Sequence, residues 1–467
     1  MVPAIDGCSS KSSPATPGQD AATEGGNPEA GTDAGSSADP LEGARESCTF
    51  QPGAMVADTI GAPNLGDAQK KIAHVIVVMK ENRSFDEILG GLGQAGKSDV
   101  EVRPAGWSNP DPNGVAVPVF HSTTTCFDLD PEHQSHQMVA DWDNGAMDGF
   151  VKNAVANSDD PSGQTGVPTD GHFVMAELEE ADLPFYYFLA KTYALADHYH
   201  CSALAGTWAN RLYTVAASSY GVKDTGVDFP DVALDGKLVF DALTGAGVTW
   251  GVYSDSPDPL EYVFIASPLP AANIHPTAQF FTDASAGTLP QVVFVEGDST
   301  TDSGKVLTSN DEHPPADLQV GEAWSRTVYE AVVSSPLWYD AATGAGTALL
   351  WTYDENGSFA DHVAPPAACK PADVSDADSI YFSHLGPRVP FVLVSPYARP
   401  GFVSHETHSH TSITRLIELV ANVGALTARD ANSDALLDMF DFASPALASP
   451  PAAPAAGTGG CVRDGGP

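Results

Sequence analysis

Short apolar runs alternate with stretches of helical periodicity through the middle of this chain. His74-Val-Ile-Val-Val-Met79 is hydrophobic without a break, the pattern of a strand buried on both faces of a parallel sheet. Val292–Val295, Ala348-Leu-Leu-Trp-Thr-Tyr353 and Phe391–Val394 repeat that pattern. Between them, Leu183 to Leu195 and Ser325 to Ser335 read as helices. Ser412 to Val423 reads as a helix with Ile413, Leu416, Ile417 and Leu419-Val420 on its apolar face. Buried strands separated by helices predict a doubly wound α/β fold, with a mostly parallel central sheet and helices on both faces. Ligands of such a sheet bind beyond the carboxyl ends of its strands.

The two ends of the chain lack this pattern. From Ser9 to about Glu46 the residues are Ser, Gly, Ala, Pro, Thr, Asp and Glu, with almost no large side chain to bury, which predicts a flexible tether. Ser444 to Pro467 is rich in Ala, Pro and Gly and reads as a poorly structured tail. The expected organisation is a polar tether and lead-in over 1–66, one catalytic domain over 67–443 and a tail over 444–467.

Charge changes the picture of possible partners. Lys and Arg number 21 against 61 Asp and Glu, a net charge of −40, while 42% of residues are hydrophobic. Such a field repels nucleic acid and anionic lipid, which need basic surface to displace counterions. No nucleic-acid partner is expected, and no obligate protein partner is evident. An anionic substrate needs a local positive site, most simply a bound metal. No apolar window reaches the length that spans a bilayer.

Cys8, Cys48, Cys126, Cys201, Cys369 and Cys461 form no CxxC pair, so a thiolate zinc site has no support. Disulfides suit an exported protein, and a Cys48–Cys461 bond would tie the chain ends together. Gly7-Cys8-Ser9-Ser10 resembles the lipid-attachment site of bacterial lipoproteins, without the hydrophobic signal that precedes it there. Either the recorded start lies downstream of the true one, or Cys8 is incidental. The first alternative implies a membrane tether through lipidated Cys8 and a periplasmic, outer-membrane-anchored or extracellular location.

Polar residues crowd where the predicted strands end. Lys80-Glu-Asn-Arg-Ser-Phe-Asp86 follows the first strand, and Asp354-Glu-Asn-Gly-Ser-Phe-Ala-Asp-His362-Val follows a later one. One such turn would be a helix cap or solvated loop. Two, each with adjacent oxygen donors, point to a divalent metal.

The first of these segments, His74-Val-Ile-Val-Val-Met-Lys-Glu-Asn-Arg-Ser-Phe-Asp86, resembles the opening signature of the bacterial phosphoesterase family of phospholipases C and acid phosphatases. Further resemblances follow in order: Asp130-Pro-Glu-His133 with His136, Asn144-Gly-Ala-Met-Asp-Gly-Phe150, Gly206-Thr-Trp-Ala-Asn-Arg211, Asp311-Glu-His313-Pro-Pro, the Asp354 segment, and Arg388 to Tyr397. Coverage runs from about Lys70 to about Val423. Gly357-Ser358 departs from the family's usual double glycine.

This resemblance implies an alkaline-phosphatase-like core and a metal-dependent hydrolase of phosphate esters, phospholipids among them. It implies Glu81, Asn82, Asp354 and Glu355 as metal ligands. Thr207 would be the nucleophile and a further ligand. A threonine hydroxyl needs a base or a metal to lower its pKa. Asn210, one helical turn on, would hold a phosphoryl oxygen. His133 and His313 would hold substrate oxygens or protonate the leaving group, with His136 and His362 as weaker substrate-binding candidates. Arg83 and Arg211 would pair with carboxylates, and His405 to His410 would form a helix-capping loop. Zn, Ca, Mg, Mn and Fe all suit such ligands. A sulfatase-like esterase expects a CxPxR-type nucleophile segment that Thr207-Trp-Ala-Asn-Arg lacks. A non-catalytic surface binding protein would have lost ligands, yet every proposed ligand is an oxygen donor.

Overall fold

The computed structural model describes residues 39–459, apart from 128, 160–169, 226–236, 257–268, 299–308 and 373. Nine strands form the main sheet: β1 Ile72–Lys80, β2 Ala194–Ala196, β3 Trp250–Tyr253, β4 Ile274–His275, β5 Val292–Val295, β6 Tyr339–Asp340, β7 Ala345–Tyr353, β8 Phe391–Val394 and β9 Val403–Ser404. Their order is β4-β3-β5-β1-β7-β8-β2-β9, with β6 paired to β7. β8 runs antiparallel to both neighbours, and β6 is antiparallel to β7; the other pairings are parallel. Helices pack around the sheet, as the alternating pattern requires.

β1 is the centre. Val75 to Val78 are each at most 2% exposed, because parallel neighbours and helices cover both faces. Helices α2 (Leu65–Lys71) and α7 (His410–Ala421) lie against it. Register then dictates what emerges at its carboxyl end. Lys80 stands opposite Tyr353 and Val78 opposite Val295, so Glu81, Asp354 and Glu296 leave the sheet side by side. β8 points the other way, so the residue it brings to this edge, Arg388, precedes the strand.

The helix expected over Leu183 to Leu195 is shorter. It spans Pro184–Thr192 (α4) and gives way to β2, because Ala194 to Ala196 are wholly buried and pair with β8 and β9. The helix expected from Ser325 begins at Leu318, where Asp317 caps it by accepting from the Gln319 N–H at 2.9 Å.

Both chain ends differ from expectation over their described parts. Asp39–Glu46, read as the end of a tether, belongs to the folded body. Glu42–Glu46 is helix α1, and Arg45 pairs with Asp39 and donates to the Thr59 carbonyl at 2.8 Å. Cys48 bonds Cys369, which overturns the Cys48–Cys461 expectation. Cys126 is also disulfide-bonded, and Cys201 is a buried free thiol. Cys8 and Cys461 lie outside the described residues. The C-terminal stretch is strapped down through its backbone: Trp338 donates to Leu447 O, Arg326 to Pro454 O at 2.7 Å, and the Gly457 N–H to Glu322 at 2.7 Å. Low hydrophobicity hid this, because polar backbone contacts leave no periodicity.

Two stability effects follow. Cys48→Ser should cost about 2–4 kcal/mol by freeing the unfolded chain, which urea unfolding checks. His408 is buried between Asp434 at 2.7 Å and Asp438 at 3.5 Å. Burial alone would lower its pKa, but the two carboxylates hold it well above the ordinary imidazole value, while His408 in turn holds Asp434 low. The histidine's contribution is therefore full below about pH 6.5 and lost as pH rises through the raised value. The carboxylate's contribution is lost as pH falls through its own lowered value. His408→Gln should accordingly destabilise more at pH 6 than at pH 10, again by urea unfolding.

Candidate active site

Local chemistry turns the chain sharply at the end of β1. Asn82 has a left-handed backbone, φ +58°, which asparagine tolerates better than most residues. Gly357 packs on it at φ +59°, and a Cβ there would stand 2.5 Å from the Asn82 carbonyl oxygen. Only glycine allows the two loops this approach. Ser84 caps the next helix, α3 (Phe85–Leu89), by accepting from the Glu87 N–H.

The result is a convergence of oxygens. The Asn82 amide presents one end to Glu81 Oε2 at 3.1 Å, Asp354 Oδ1 at 3.1 Å and Glu355 Oε1 at 2.6 Å. Its other end faces His133 Nε2 at 3.1 Å and His313 Nε2 at 2.9 Å. An NH2 group turned towards the carboxylates has two protons for three acceptors, so a hydrogen-bond solution is incomplete. A carbonyl turned the same way sets the amide oxygen against the three carboxylates, an all-oxygen donor set of the kind a hard divalent cation takes.

Charge gives the same answer. Burial pushes the Glu81 carboxyl well above the usual range against the pull of Arg211, with Asp354 adding to the rise; burial and then Asp354 do the same to Glu355. Arg211 is the cation among them, bonded to Glu81 and, through Nε, to Asp354 Oδ2 at 3.1 Å. Carboxylates crowded where burial disfavours their charge are a donor set whose ionised form a bound divalent ion would favour. Glu81, Asn82, Asp354 and Glu355 therefore fit a metal.

Beside this set lies a second cluster, Asp130, His133 and His313, whose ligand-type atoms all lie within 4.8 Å of one another. His133 Nδ1 faces Pro131 O at 2.7 Å, and its Nε2 is 3.9 Å from Glu355. Burial would lower the His313 pKa, but Asp130 and Asp311 outweigh it and hold the ring above its ordinary value. A cationic imidazole next to an anionic pocket can hold a phosphoryl oxygen or give a proton to a leaving alcohol.

Thr207 opens helix α5 (Thr207–Ala216), which Gly206 precedes in extended backbone. Arg211, four residues on, shares its face, and Arg211 reaches Glu81 and Asp354. The Thr207 hydroxyl is thus carried on the helix face that serves the carboxylates, beside the N–H groups of a helix N-terminus.

Three expected substrate contacts are not brought into this cluster. Asn210 is engaged within its own turn: its amide accepts from Ala203 N at 3.0 Å and donates to Ala205 O at 2.6 Å, so it shapes the loop before Thr207. A short polar side chain finds nearby backbone before it finds a ligand. His136 is exposed. His362 sits in a separate ionic group, with Nδ1 2.7 Å from Asp86, and Arg388 fills the centre of that group by bonding both Asp86 and Asp361. A guanidinium already occupies the cation's place there.

Several working residues escaped the sequence reading. Asp130 was visible in the Asp130-Pro-Glu-His133 motif but received no role. His410 is buried and pushed down to about 4, hence neutral; its Nε2 donates to Asp354 O at 2.6 Å and holds that ligand's backbone. The neighbouring Ser409 is the N-cap residue of α7, and its N–H donates to Ser412 Oγ at 3.2 Å. Glu312, also at positive φ, is buried against Lys80 at 3.1 Å and accepts from Tyr186 and Tyr353. Arg83 Nη2 bonds its carbonyl at 2.8 Å, so the peptide leading into His313 is fixed from both sides. Contacts between residues so far apart in sequence leave no local signature.

The chain belongs to the phosphoesterase family, whose model matches residues 72–424. It is 31% identical over 432 residues to phospholipase C A of Mycobacterium tuberculosis, covering 80% of this chain and 78% of that protein. Phospholipase C B of the same organism is 31% identical over 459 residues, covering 85% and 83%. Non-specific phospholipase C1 of Arabidopsis thaliana is 32% identical over 397 residues, covering 78% and 70%. The protein is a phosphoric ester hydrolase.

The anchoring of His313 is directly measurable. Glu312→Gln leaves Lys80 buried without its counter-charge and should cost about 3–5 kcal/mol in urea unfolding. Double replacement with Lys80→Met should recover much of that loss.

Proposed function

We propose that this protein is a metal-dependent phosphoesterase of phospholipase C type, with Thr207 as its nucleophile. The observation that carries the reading is the gathering of Glu81, Asp354 and Glu355 around the Asn82 amide, with Thr207 and Arg211 on one face of the helix beside it. A divalent ion held there would neutralise phosphoryl charge and lower the pKa of a hydroxyl.

The chain's own groups supply the rest. The Thr207 hydroxyl gives its proton to a carboxylate or histidine of the site as its oxygen attacks phosphorus in line with the leaving alcohol; its bond to phosphorus forms as the P–O bond to the alcohol breaks. Arg211 holds Glu81 and Asp354 in place. His313, whose pKa Asp130 and Asp311 raise against its burial, or His133 beside it, gives the departing alkoxide a proton. Water then attacks the phosphothreonine ester, with a histidine taking its proton, and Thr207 regains its hydroxyl.

Resemblance to phospholipases C supports a phosphodiester substrate. A net charge of −40 favours zwitterionic over anionic lipid. The Cys48–Cys369 disulfide supports an oxidising, exported location. Lipidation at Cys8 is a further expectation.

Turnover of p-nitrophenyl phosphorylcholine against p-nitrophenyl phosphate separates diesterase from monoesterase, and the diester is expected to be the better substrate. Thr207→Ala should lower kcat by at least about a thousandfold with KM little changed, since only a transition-state role is lost. Its circular dichroism and melting temperature should match wild type. Thr207→Ala with wild-type kcat would remove the nucleophile. A wild-type protein that cleaves p-nitrophenyl sulfate, or no ester at all, would favour the sulfatase-like or binding readings.

A further inference from the structure

Asp141 lies on the helix Ser135–Trp142 that follows His133, and none of it is exposed. Its carboxyl faces the side chains of Ser358 and Asn153, while neither oxygen forms a hydrogen bond of normal geometry. Burial pushes the acid well above the carboxylate range. In its protonated form the carboxyl can donate as well as accept.

Ser358 is the other half of the arrangement. It sits at φ +54°, a backbone conformation that costs a serine more than a glycine. Its hydroxyl donates to the Glu132 carbonyl at 2.9 Å, and Asn153 Nδ2 approaches the same oxygen at 3.3 Å. That carbonyl belongs to the peptide leading directly into His133, whose Nε2 stands 3.1 Å from Asn82. A run of buried polar groups thus leads from the Asp141 acid through the Ser358 hydroxyl to the backbone that carries an active-site histidine. Asn157 Nδ2 steadies the Asn153 carbonyl at 2.9 Å.

We propose that Asp141 and Ser358 are positioning residues, which hold His133 against Asn82 by way of the Glu132 carbonyl. The proposal rests on His133 acting in the phosphoester site. It gives a reason for a strained serine where glycine would fit more easily: the hydroxyl is needed.

The test uses the full chain with Ser358→Gly, Asp141→Ala, Asp141→Asn and the double variant Asp141→Ala/Ser358→Gly. Ser358→Gly relieves the backbone, so its melting temperature should hold or rise. Its kcat should nevertheless fall about tenfold with KM nearly constant, because the histidine is misplaced. Asp141→Ala should act likewise, and Asp141→Asn, still a donor, should recover most of the rate. The double variant should be no slower than either single one, the signature of groups acting in series. Independently of turnover, 15N resonances of the His133 ring should shift in Ser358→Gly and Asp141→Ala while those of His198 stay in place. That readout decides the matter even if the wild-type protein hydrolyses no phosphate ester, an outcome that would refute the functional reading alone. If Asp141→Ala does not fold, Ser358→Gly carries the test by itself. Wild-type kcat together with unmoved His133 resonances in Ser358→Gly would overturn the proposal.

Discussion

Three carboxylates buried within reach of one amide are the constraint around which this molecule is built. Register in the central sheet makes the crowding unavoidable: Lys80 opposes Tyr353, so Glu81 and Asp354 must leave neighbouring strands together. Like charges in a medium of low dielectric repel strongly, and a single guanidinium, Arg211, offsets only part of that repulsion. An arrangement this costly is relieved when something of opposite charge completes it, and the oxygen donors fit a hard divalent cation. The substrate class follows from the same fact, since a phosphoryl group brings negative charge to a site that metal and imidazolium can receive.

Everything around the cluster limits its movement. His410 holds the Asp354 carbonyl, and Gly357 closes on Asn82. Glu312 and Lys80, buried together, fix the chain before His313. Arg388 ties Asp86 to Asp361 and so anchors both loops that supply the ligands. Taking one partner from such a pair leaves a buried charge alone, which is why these groups act through position without touching the reacting atoms. The chain ends contribute at a distance: Gly457 binds Glu322, whose other oxygen accepts from the first turn of α4, the helix that carries Tyr186 to Glu312.

How much of this was legible depended on the range of the interaction. β1, β5 and β8 were readable because strands covered on both faces must be apolar without a break. The oxygen donors at the ends of β1 and β7 were readable because each pair is contiguous in sequence. The meeting of His133 and His313 with Asn82 was not: 180 residues separate the two histidines, and only resemblance to a family suggested it. Asn210 misled because a residue one turn from Thr207 shares its face, yet its amide finds backbone within the same turn. The described ends of the chain misled for a different reason. Composition reports how much apolar surface a segment can bury, and says nothing of a disulfide to Cys369 or of backbone groups bonded to Arg326 and Glu322.

The central claim is that a divalent ion completes the Glu81, Asn82, Asp354 and Glu355 set. Metal content of the purified protein by elemental mass spectrometry, followed by thermal unfolding after chelation and re-addition of single metals, addresses it most directly. Bound metal should be present in at least stoichiometric amount. Its removal should lower the melting temperature, re-addition should restore it, and Glu355→Gln should blunt both responses, because a ligand that binds only the folded state stabilises it. A metal-free protein that keeps full phosphoesterase activity, with a melting temperature indifferent to every divalent ion, would contradict the claim.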